Sequence, residues 1–138
     1  MITVELDNFS LKEICQSGQC FRMYETAENT YELIAGDKYL KMTQEGSIVN
    51  FYCSDMEFIC YWVPYFDIDA DYGSYIAKIN PRDTYLVEAA ECGGGIRILQ
   101  QDLWEMIITF LISQQNNISR IRGCVERLCE AYGEKKTS

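Results

Sequence analysis

Apolar and polar positions alternate through residues 2–6, the pattern of a half-buried edge strand. Asn8 or Ser10 stands where it would cap a short helix through residues 11–15, which stops before Ser17 and Gly18. Four short runs follow, FRMYE, TYELIAG, KYLKMTQ and IVNFYC, each rich in aromatic and β-branched residues. Ala27-Glu28-Asn29, Gly36-Asp37 and Glu45-Gly46 separate them, and the last two pairs are the tight-turn chemistry of an antiparallel meander. About five strands result, with one face that needs cover. The period then lengthens: Phe58, Ile59, Trp62 and Val63 form a helical stripe ending at Pro64. Further helical stretches fall around residues 73–79 and 81–92 before Gly93-Gly94-Gly95 lets the chain turn sharply.

The most apolar run spans residues 103–112 and opens on Asp102 and Glu105, a capping pair at N-cap and N3. Its apolar residues surround the whole circumference, which predicts a central buried helix. At its end stand four neutral amides, Gln114, Gln115, Asn116 and Asn117. A last helix from Asn117 carries Ile118, Ile121, Val125, Leu128 and Tyr132 at spacings of three and four, one core face, with Gly133 as its C-cap. Gly123 is expected to admit a neighbouring backbone, and Arg120 and Arg127 lie two turns apart, off the core stripe. The pattern predicts an α+β protein: an antiparallel sheet of about five strands covered by helices over residues 1–92, then a helical segment over 93–138.

Composition supports a real core, with 48% hydrophobic and 13% aromatic residues in 138. A net charge of −9 argues against a free-standing nucleic-acid binder, since phosphates reward Lys and Arg. The charge is uneven, however. Asp55, Glu57, Asp67, Asp69, Asp71, Asp83, Glu88 and Glu91 face only Lys78 and Arg82 in residues 55–91, while acids and bases balance from residue 100 onward. Any DNA face is expected at the C-terminal end, with the acidic middle turned away. Seven cysteines without a C-x-x-C or a signal peptide read as reduced cytoplasmic thiols, mostly small core residues. With no His, a zinc site and Ser-His or Cys-His nucleophiles drop out. Asp67, Asp69 and Asp71 match the first ligands of a calcium loop, but the Gly and the bidentate Glu fall in the wrong places, so the stretch reads as a solvated acidic connection. The triple glycine lacks the Lys and Ser/Thr of a phosphate loop. No metal and no cofactor is expected, and the longest apolar run is too short to span a bilayer.

Two places carry chemical content. The amide knot has a plain reading as a helix-capping turn. It has a functional one as well: a flipped nucleotide leaves a gap and an orphaned partner base, at a few kcal/mol. A planar neutral amide enters such a gap without the desolvation cost of a charge, and a nearby Arg grips base acceptors or a phosphate. The second place is Ser17-Gly18-Gln19-Cys20-Phe21-Arg22, where glycine lets a backbone carbonyl stand clear at a turn. A simple helix-to-strand turn accounts for it equally well on chemistry alone.

Three separated motifs, SGQCFR at 17–22, GIRILQQD at 95–102 and ISQQNNISRIRGCVERLCEAYG at 112–133, resemble the front of the 8-oxoguanine DNA glycosylase family in order and spacing. The resemblance implies a TBP-like N-terminal sheet domain (1–92) and the start of an all-α helix-hairpin-helix glycosylase domain (93–138). It implies base-excision repair of damaged double-stranded DNA, with removal of oxidised guanine and strand cleavage at the abasic site. Gly18 is similar to the glycine whose carbonyl accepts the proton on N7 of the oxidised base. Gln115 stands at the family's intercalating Asn, Asn116 and Asn117 at the next two residues, and Arg120 at the arginine that reads the estranged cytosine. This chain departs from the family with Gln at 115 and with Met23 where Trp usually follows F-R.

The family's nucleophilic Lys, activating Asp and hairpin glycine loop are expected beyond Ser138. Lys12, Lys38, Lys41, Lys78, Lys135 and Lys136 all lack the matching motif. No catalytic residue is therefore expected in this chain, and the chain alone is expected to be inactive. The surface that a missing domain would cover offers a route to self-association. Two alternatives stand beside this reading: a glycosylase for alkylated bases, and a non-catalytic protein-interaction module using the sheet and its acidic flank.

Overall fold

The computed structural model describes residues 1–134; Lys135 and Lys136, weighed above as amines, lie outside the described residues. Five strands form one antiparallel sheet: β1 (Ile2–Glu5), β2 (Met23–Ala27), β3 (Thr30–Ala35), β4 (Lys38–Glu45) and β5 (Ile48–Tyr52), in spatial order β1-β5-β4-β3-β2. β2 to β5 are the expected meander. Leu33 lies opposite Leu40 and Met42 opposite Phe51, while β1 returns to the far edge with Val4 opposite Val49. Period-two alternation puts Tyr31, Leu33, Leu40, Met42, Val49 and Phe51 on one buried face. β2 begins two residues later than its apolar pattern suggested; the Arg22 carbonyl still accepts the Ile34 amide of β3 at 3.0 Å, while the side chains of Phe21 and Arg22 are used elsewhere.

Cover comes from α1 (Leu11–Gln16), capped by Ser10, and from the helical run after β5. That run is α2 (Asp55–Glu57), a π-helical turn over Phe58–Trp62, and α3 (Val63–Tyr65). Pro64 does not end the helix as expected. The Val63 amide reaches back to the Phe58 carbonyl, and the wider turn carries the chain through the missing proline N–H. Widening also rotates the stripe: Trp62 is completely buried with Phe66, but Ile59 faces solvent. Phe9, Phe51, Phe58, Trp62, Tyr65 and Phe66 interlock edge-to-face or tilted beneath the sheet. α4 (Tyr72–Ala77) and α5 (Thr84–Cys92) sit at the periphery and bury no residue.

The chain after the triple glycine is an extended strap docked on this unit. Gly95 has φ +86°, its carbonyl accepts the Ser10 amide at 2.9 Å, and a Cβ there would meet Ser10 Cβ at 2.7 Å. Arg97 is buried against four carbonyls: Nε to Asn8 at 2.9 Å, Nη2 to Asp7 at 2.8 Å, Nη1 to Ala70 at 2.9 Å and to Asp67 at 3.3 Å. Its guanidinium stacks over Tyr72 at 4.3 Å. Burial lowers its pKa, opposed by Tyr72 and Asp67. The aspartates of residues 67–71 thus act locally, Asp67 through its carbonyl and its Oδ2 to the Tyr72 hydroxyl, Asp71 as the cap of α4. Leu99 completes the core.

α6 (Leu103–Ser113) and α7 (Ile118–Tyr132) follow. Asp102 caps α6 as expected, its carboxylate accepting the Glu105 amide at 3.0 Å. Glu105 does not close a capping box; it lies 3.8 Å from Arg22 and accepts the Gly36 amide at 3.4 Å. The buried central helix read from the pattern is corrected here. Among the described residues α6 is covered only along Glu105, Ile108, Thr109, Ile112 and Ser113, while Trp104, Phe110 and Leu111 are each more than 60% exposed, because only the sheet edge and α7 lie against it. On α7 the core face shrinks to Ile121 and Val125, packed with Phe21 and Ile112; Ile118, Leu128 and Tyr132 are exposed. Gly123 admits no backbone, only the Arg127 guanidinium 3.9 Å from its would-be Cβ. Arg122 ties α7 to the sheet unit, donating to the carbonyls of Cys15 at 3.1 Å and Met23 at 3.3 Å and lying over Tyr24. All seven cysteines are free, but only Cys15 and Cys20 are buried, so the thiols are not mainly core residues. No helix among the described residues is long and apolar enough to cross a membrane.

Two stability predictions follow from these contacts. Gly95→Ala should cost roughly 2–5 kcal/mol, from left-handed strain plus overpacking against Ser10, whereas Gly46→Ala, at φ +59° in open space, should cost about 1–2 kcal/mol from strain alone. Urea midpoints of the two variants measure the difference. Arg122→Met removes the guanidinium from the part-buried Cys15 carbonyl and leaves the Met23 carbonyl to the Cys15 thiol at 3.4 Å, and should cost roughly 1–3 kcal/mol, while Arg120→Ala, exposed and unpaired among the described residues, should stay within about 0.5 kcal/mol. Hydrogen exchange should show α7 loosening in the first variant only; equal protection in both would remove the role given to Arg122.

Candidate nucleic-acid interface

The link between α6 and α7 is built from its own amides. Ser113 ends α6, Gln114 leaves helical geometry, and Gln115 takes φ +51°, a left-handed conformation uncommon outside glycine. Two asparagines hold the turn. Asn116 Nδ2 donates to the Ile112 carbonyl at 3.1 Å and its Oδ1 accepts the Asn117 amide at 3.0 Å. Asn117 then caps α7, its Oδ1 accepting the Arg120 amide at 3.0 Å.

Capping therefore explains Asn116 and Asn117 but not their neighbours. Gln115 is exposed, and its carboxamide makes no hydrogen bond among the described residues. Arg120 is exposed as well, with no ion pair or hydrogen bond on its guanidinium among them. Both border a shallow groove that also takes in Ser119, Gly123, Cys124 and Arg127, and no acidic residue lines it among those described. Arg127, two turns from Arg120, donates to Cys124 Sγ at 3.3 Å.

Gly18 comes to this ridge from the other end of the chain. Its φ is +77°, and a Cβ on it would lie 3.9 Å from Ile118 Cδ1, in the first turn of α7. Its carbonyl accepts no hydrogen bond among the described residues. The fold thus brings Gly18 beside Ile118 in the first turn of the helix bearing Arg120, although a hundred residues separate them. The motif around Gly18 makes the connection: Gln19 bonds to the strap, Phe21 packs on α7, and Arg22 meets Glu105 of α6. Burial, reinforced by the Glu126 carboxylate, pushes the Tyr24 phenol up to about 12, so the ring under Arg122 stays neutral.

Local patterning missed Gln19, Arg97, Gln101 and Arg122, which hold this geometry. Apart from Ser17 beside Gln19, their partners lie 27 to 107 positions away, and the one available signal was that all four sit inside the three motifs. A second concavity, lined by Arg22, Trp104, Ile108, Val125 and Leu128, is mainly apolar. No lysine lines either depression among the described residues, and no group of three or more His, Cys, Asp or Glu among them is gathered to hold a metal ion.

Residues 1–107 match the family model described as the 8-oxoguanine DNA glycosylase N-terminal domain. A solved structure of MBOgg1 in complex with a low affinity DNA ligand superimposes with a TM-score of 0.92 at 35% identity, covering 99% of this chain and 47% of that one. The 8-oxoguanine glycosylase/lyase of Clostridium acetobutylicum, in complex with dsDNA containing cytosine opposite to 8-oxoG, gives 0.89 at 36% identity, covering 96% and 46%. The N-glycosylase/DNA lyase of Saccharomyces cerevisiae is 27% identical over 152 residues, 99% of this chain and 40% of that protein. The chain thus spans less than half the length of these relatives. With a matching five-stranded antiparallel sheet and the helices that follow it, the chain belongs to the 8-oxoguanine DNA glycosylase family, whose N-terminal domain it carries.

Proposed function

We propose that this chain is the N-terminal portion of a base-excision repair glycosylase and abasic-site lyase that removes 8-oxoguanine from double-stranded DNA. The observation that carries this reading is the meeting of Gly18 with Ile118 in the first turn of α7, the helix that follows Gln115 and bears Arg120. Gly18, Gln115 and Arg120 each have a separate task when a base is flipped. The Gln115 carboxamide fills the vacated gap, an amide being able to hydrogen-bond there without shedding the hydration of a charge. Arg120 grips the acceptors of the orphaned cytosine, with Asn116 and Asn117 fixing the turn from which both project. The Gly18 carbonyl accepts the proton on N7 of the oxidised base, which guanine lacks.

Charge supports the same face. The protein carries −9 overall, yet the groove beside Gln115 holds Arg120 and Arg127 with no carboxylate among its described lining residues. In this reading residues 1–92 form the sheet domain and residues 93–138 open the helical domain, the strap being the seam between them. Reduced thiols suit an intracellular, cytoplasmic enzyme. Chemistry itself needs an amine with a lowered pKa in a buried pocket, and neither depression holds a lysine among its described lining residues. That amine then comes from the part of the enzyme outside this chain.

Arg120→Ala in the full-length enzyme should lose discrimination at the opposite base by roughly 1–3 kcal/mol, read from single-turnover excision rates opposite cytosine and the other three bases. Equal rates opposite all four bases in the unmutated protein would sink the role, and excision of alkylated but not oxidised bases would redirect the substrate. The 138-residue chain mixed with an oxidised-guanine duplex and borohydride should trap nothing. A covalent adduct would move the nucleophile to a lysine of this chain.

A further inference from the structure

Gln19, next to Gly18, is bonded at both ends of its carboxamide. Nε2 donates to the Arg97 carbonyl at 2.8 Å and Oε1 accepts the Leu99 amide at 3.0 Å, so the side chain pairs with the strap as a short strand would. Two more contacts surround it: Gln101 Nε2 donates to the Gln19 carbonyl at 2.7 Å, and Ser17 Oγ lies 3.1 Å from Gln19 Nε2 and 3.4 Å from the Gln19 amide nitrogen. The strap these bonds reach is itself immobilised by Arg97 and Gly95. Side chain, carbonyl and amide of Gln19 are therefore all held, while the Gly18 carbonyl is left without a partner among the described residues.

That combination has a geometric consequence. The Gly18 carbonyl and the Gln19 amide belong to one rigid peptide plane. Fixing Gln19 at its N–H, side chain and C=O fixes the direction of the Gly18 oxygen, which a glycine at φ +77° would otherwise leave loosely set. A hydrogen-bond acceptor that must tell a protonated N7 from a bare one depends on direction, since the bond weakens steeply off line.

We propose that Gln19 is a positioning residue of the reaction: its bidentate bond to the Arg97–Leu99 backbone aims the Gly18 carbonyl at N7–H of the oxidised base. The assignment rests on the function proposed above. It also explains why a polar side chain occupies a site at the edge of the core that an apolar one would fill, because only a carboxamide answers a carbonyl and an amide together.

Two variants of the full-length enzyme test it. Gln19→Glu keeps the shape and the acceptor for Leu99 but sets a carboxylate oxygen against the Arg97 carbonyl. Gln101→Met removes the bond to the Gln19 carbonyl from the opposite side. Three readouts apply: single-turnover excision of 8-oxoguanine opposite cytosine, affinity for a duplex with a tetrahydrofuran abasic site, which offers no base to read, and the thermal midpoint. Excision should slow roughly ten- to a hundredfold in the first variant and less in the second, with abasic-duplex affinity within about twofold of the unmutated protein. Excision unchanged in both variants overturns the proposal, and so does a parallel fall of excision and abasic-site affinity, the mark of a merely structural role. If one variant shows no thermal transition, the other decides. An unmutated enzyme that leaves 8-oxoguanine in place defeats the functional reading, and this inference with it; an active enzyme indifferent to Gln19 defeats the inference alone.

Discussion

The Gln19 carboxamide, bonded at both ends to the strap, is the central bond of the seam between the sheet unit and the helices that carry the candidate interface. It turns the strap after the triple glycine into a short partner strand, and the strap delivers the chain to Asp102, the cap of α6. Everything that then forms the candidate interface is reached through this seam. The seam is polar by construction, made of Gln19, Gln101, Arg97, the Arg22–Glu105 pair and the Arg122 bridges to Cys15 and Met23. Apolar contact there comes from Leu99 of the strap in the sheet's core and from Phe21 and Ile112 against Ile121 and Val125. Apolar packing tolerates small slides, whereas a set of directional bonds to backbone groups fixes register and rotation together. The role proposed for Gly18, Gln115 and Arg120 needs such a fixed relation.

The meander was legible because its signals are local: period-two alternation, Gly36-Asp37 and Glu45-Gly46 at the turns, and a partner strand within a few residues. The caps at Ser10, Asp102 and Asn117 were legible for the same reason. What could not be read depends on where an element lands. The α6 sequence is apolar all round, which periodicity equates with burial, yet burial depends on how many neighbours surround a helix, a property of the whole assembly. Pro64 was read as a terminator because proline removes one hydrogen bond in an α-helix, but a π turn places the gap where no bond was needed. Gly123 was assigned a backbone neighbour from residue type alone, and a small residue in a helix serves a groove just as well.

The candidate site divides along the same line. Gln115, Asn116, Asn117 and Arg120 stood out as an unusual cluster of types, and Gly18 stood out only through a motif. Their proximity was invisible to any local pattern, since it depends on Gln19 meeting Leu99 and Arg122 meeting Cys15 across most of the chain. The charge argument shows a related limit. A net charge of −9 describes the molecule at long range, but within about 8–10 Å, the screening distance in ordinary salt, only the groove's own residues are felt. Arg120 and Arg127 set the sign there.

The backbone at Gln115 bears on the role proposed for this turn: Gln114 and Gln115 are its central pair, closed by the Asn116 amide on the Ser113 carbonyl at 3.1 Å, and Gln115 takes the left-handed place. A non-glycine residue at φ +51° costs on the order of 1–2 kcal/mol, and the next two positions are asparagines, which tolerate that region better than glutamine. If capping alone were needed, the left-handed position would be better filled by one of them or by glycine. Instead Asn116 and Asn117 use their polar groups on Ile112, on each other and on Arg120's amide, and the strained position carries the longest neutral amide, bonded to nothing among the described residues. The left-handed place is thus held by an exposed, unengaged carboxamide that borders the same groove as the Arg120 guanidinium. The asparagines hold the turn and leave the Gln115 carboxamide and the Arg120 guanidinium unengaged among the described residues, which is the condition the proposed role requires.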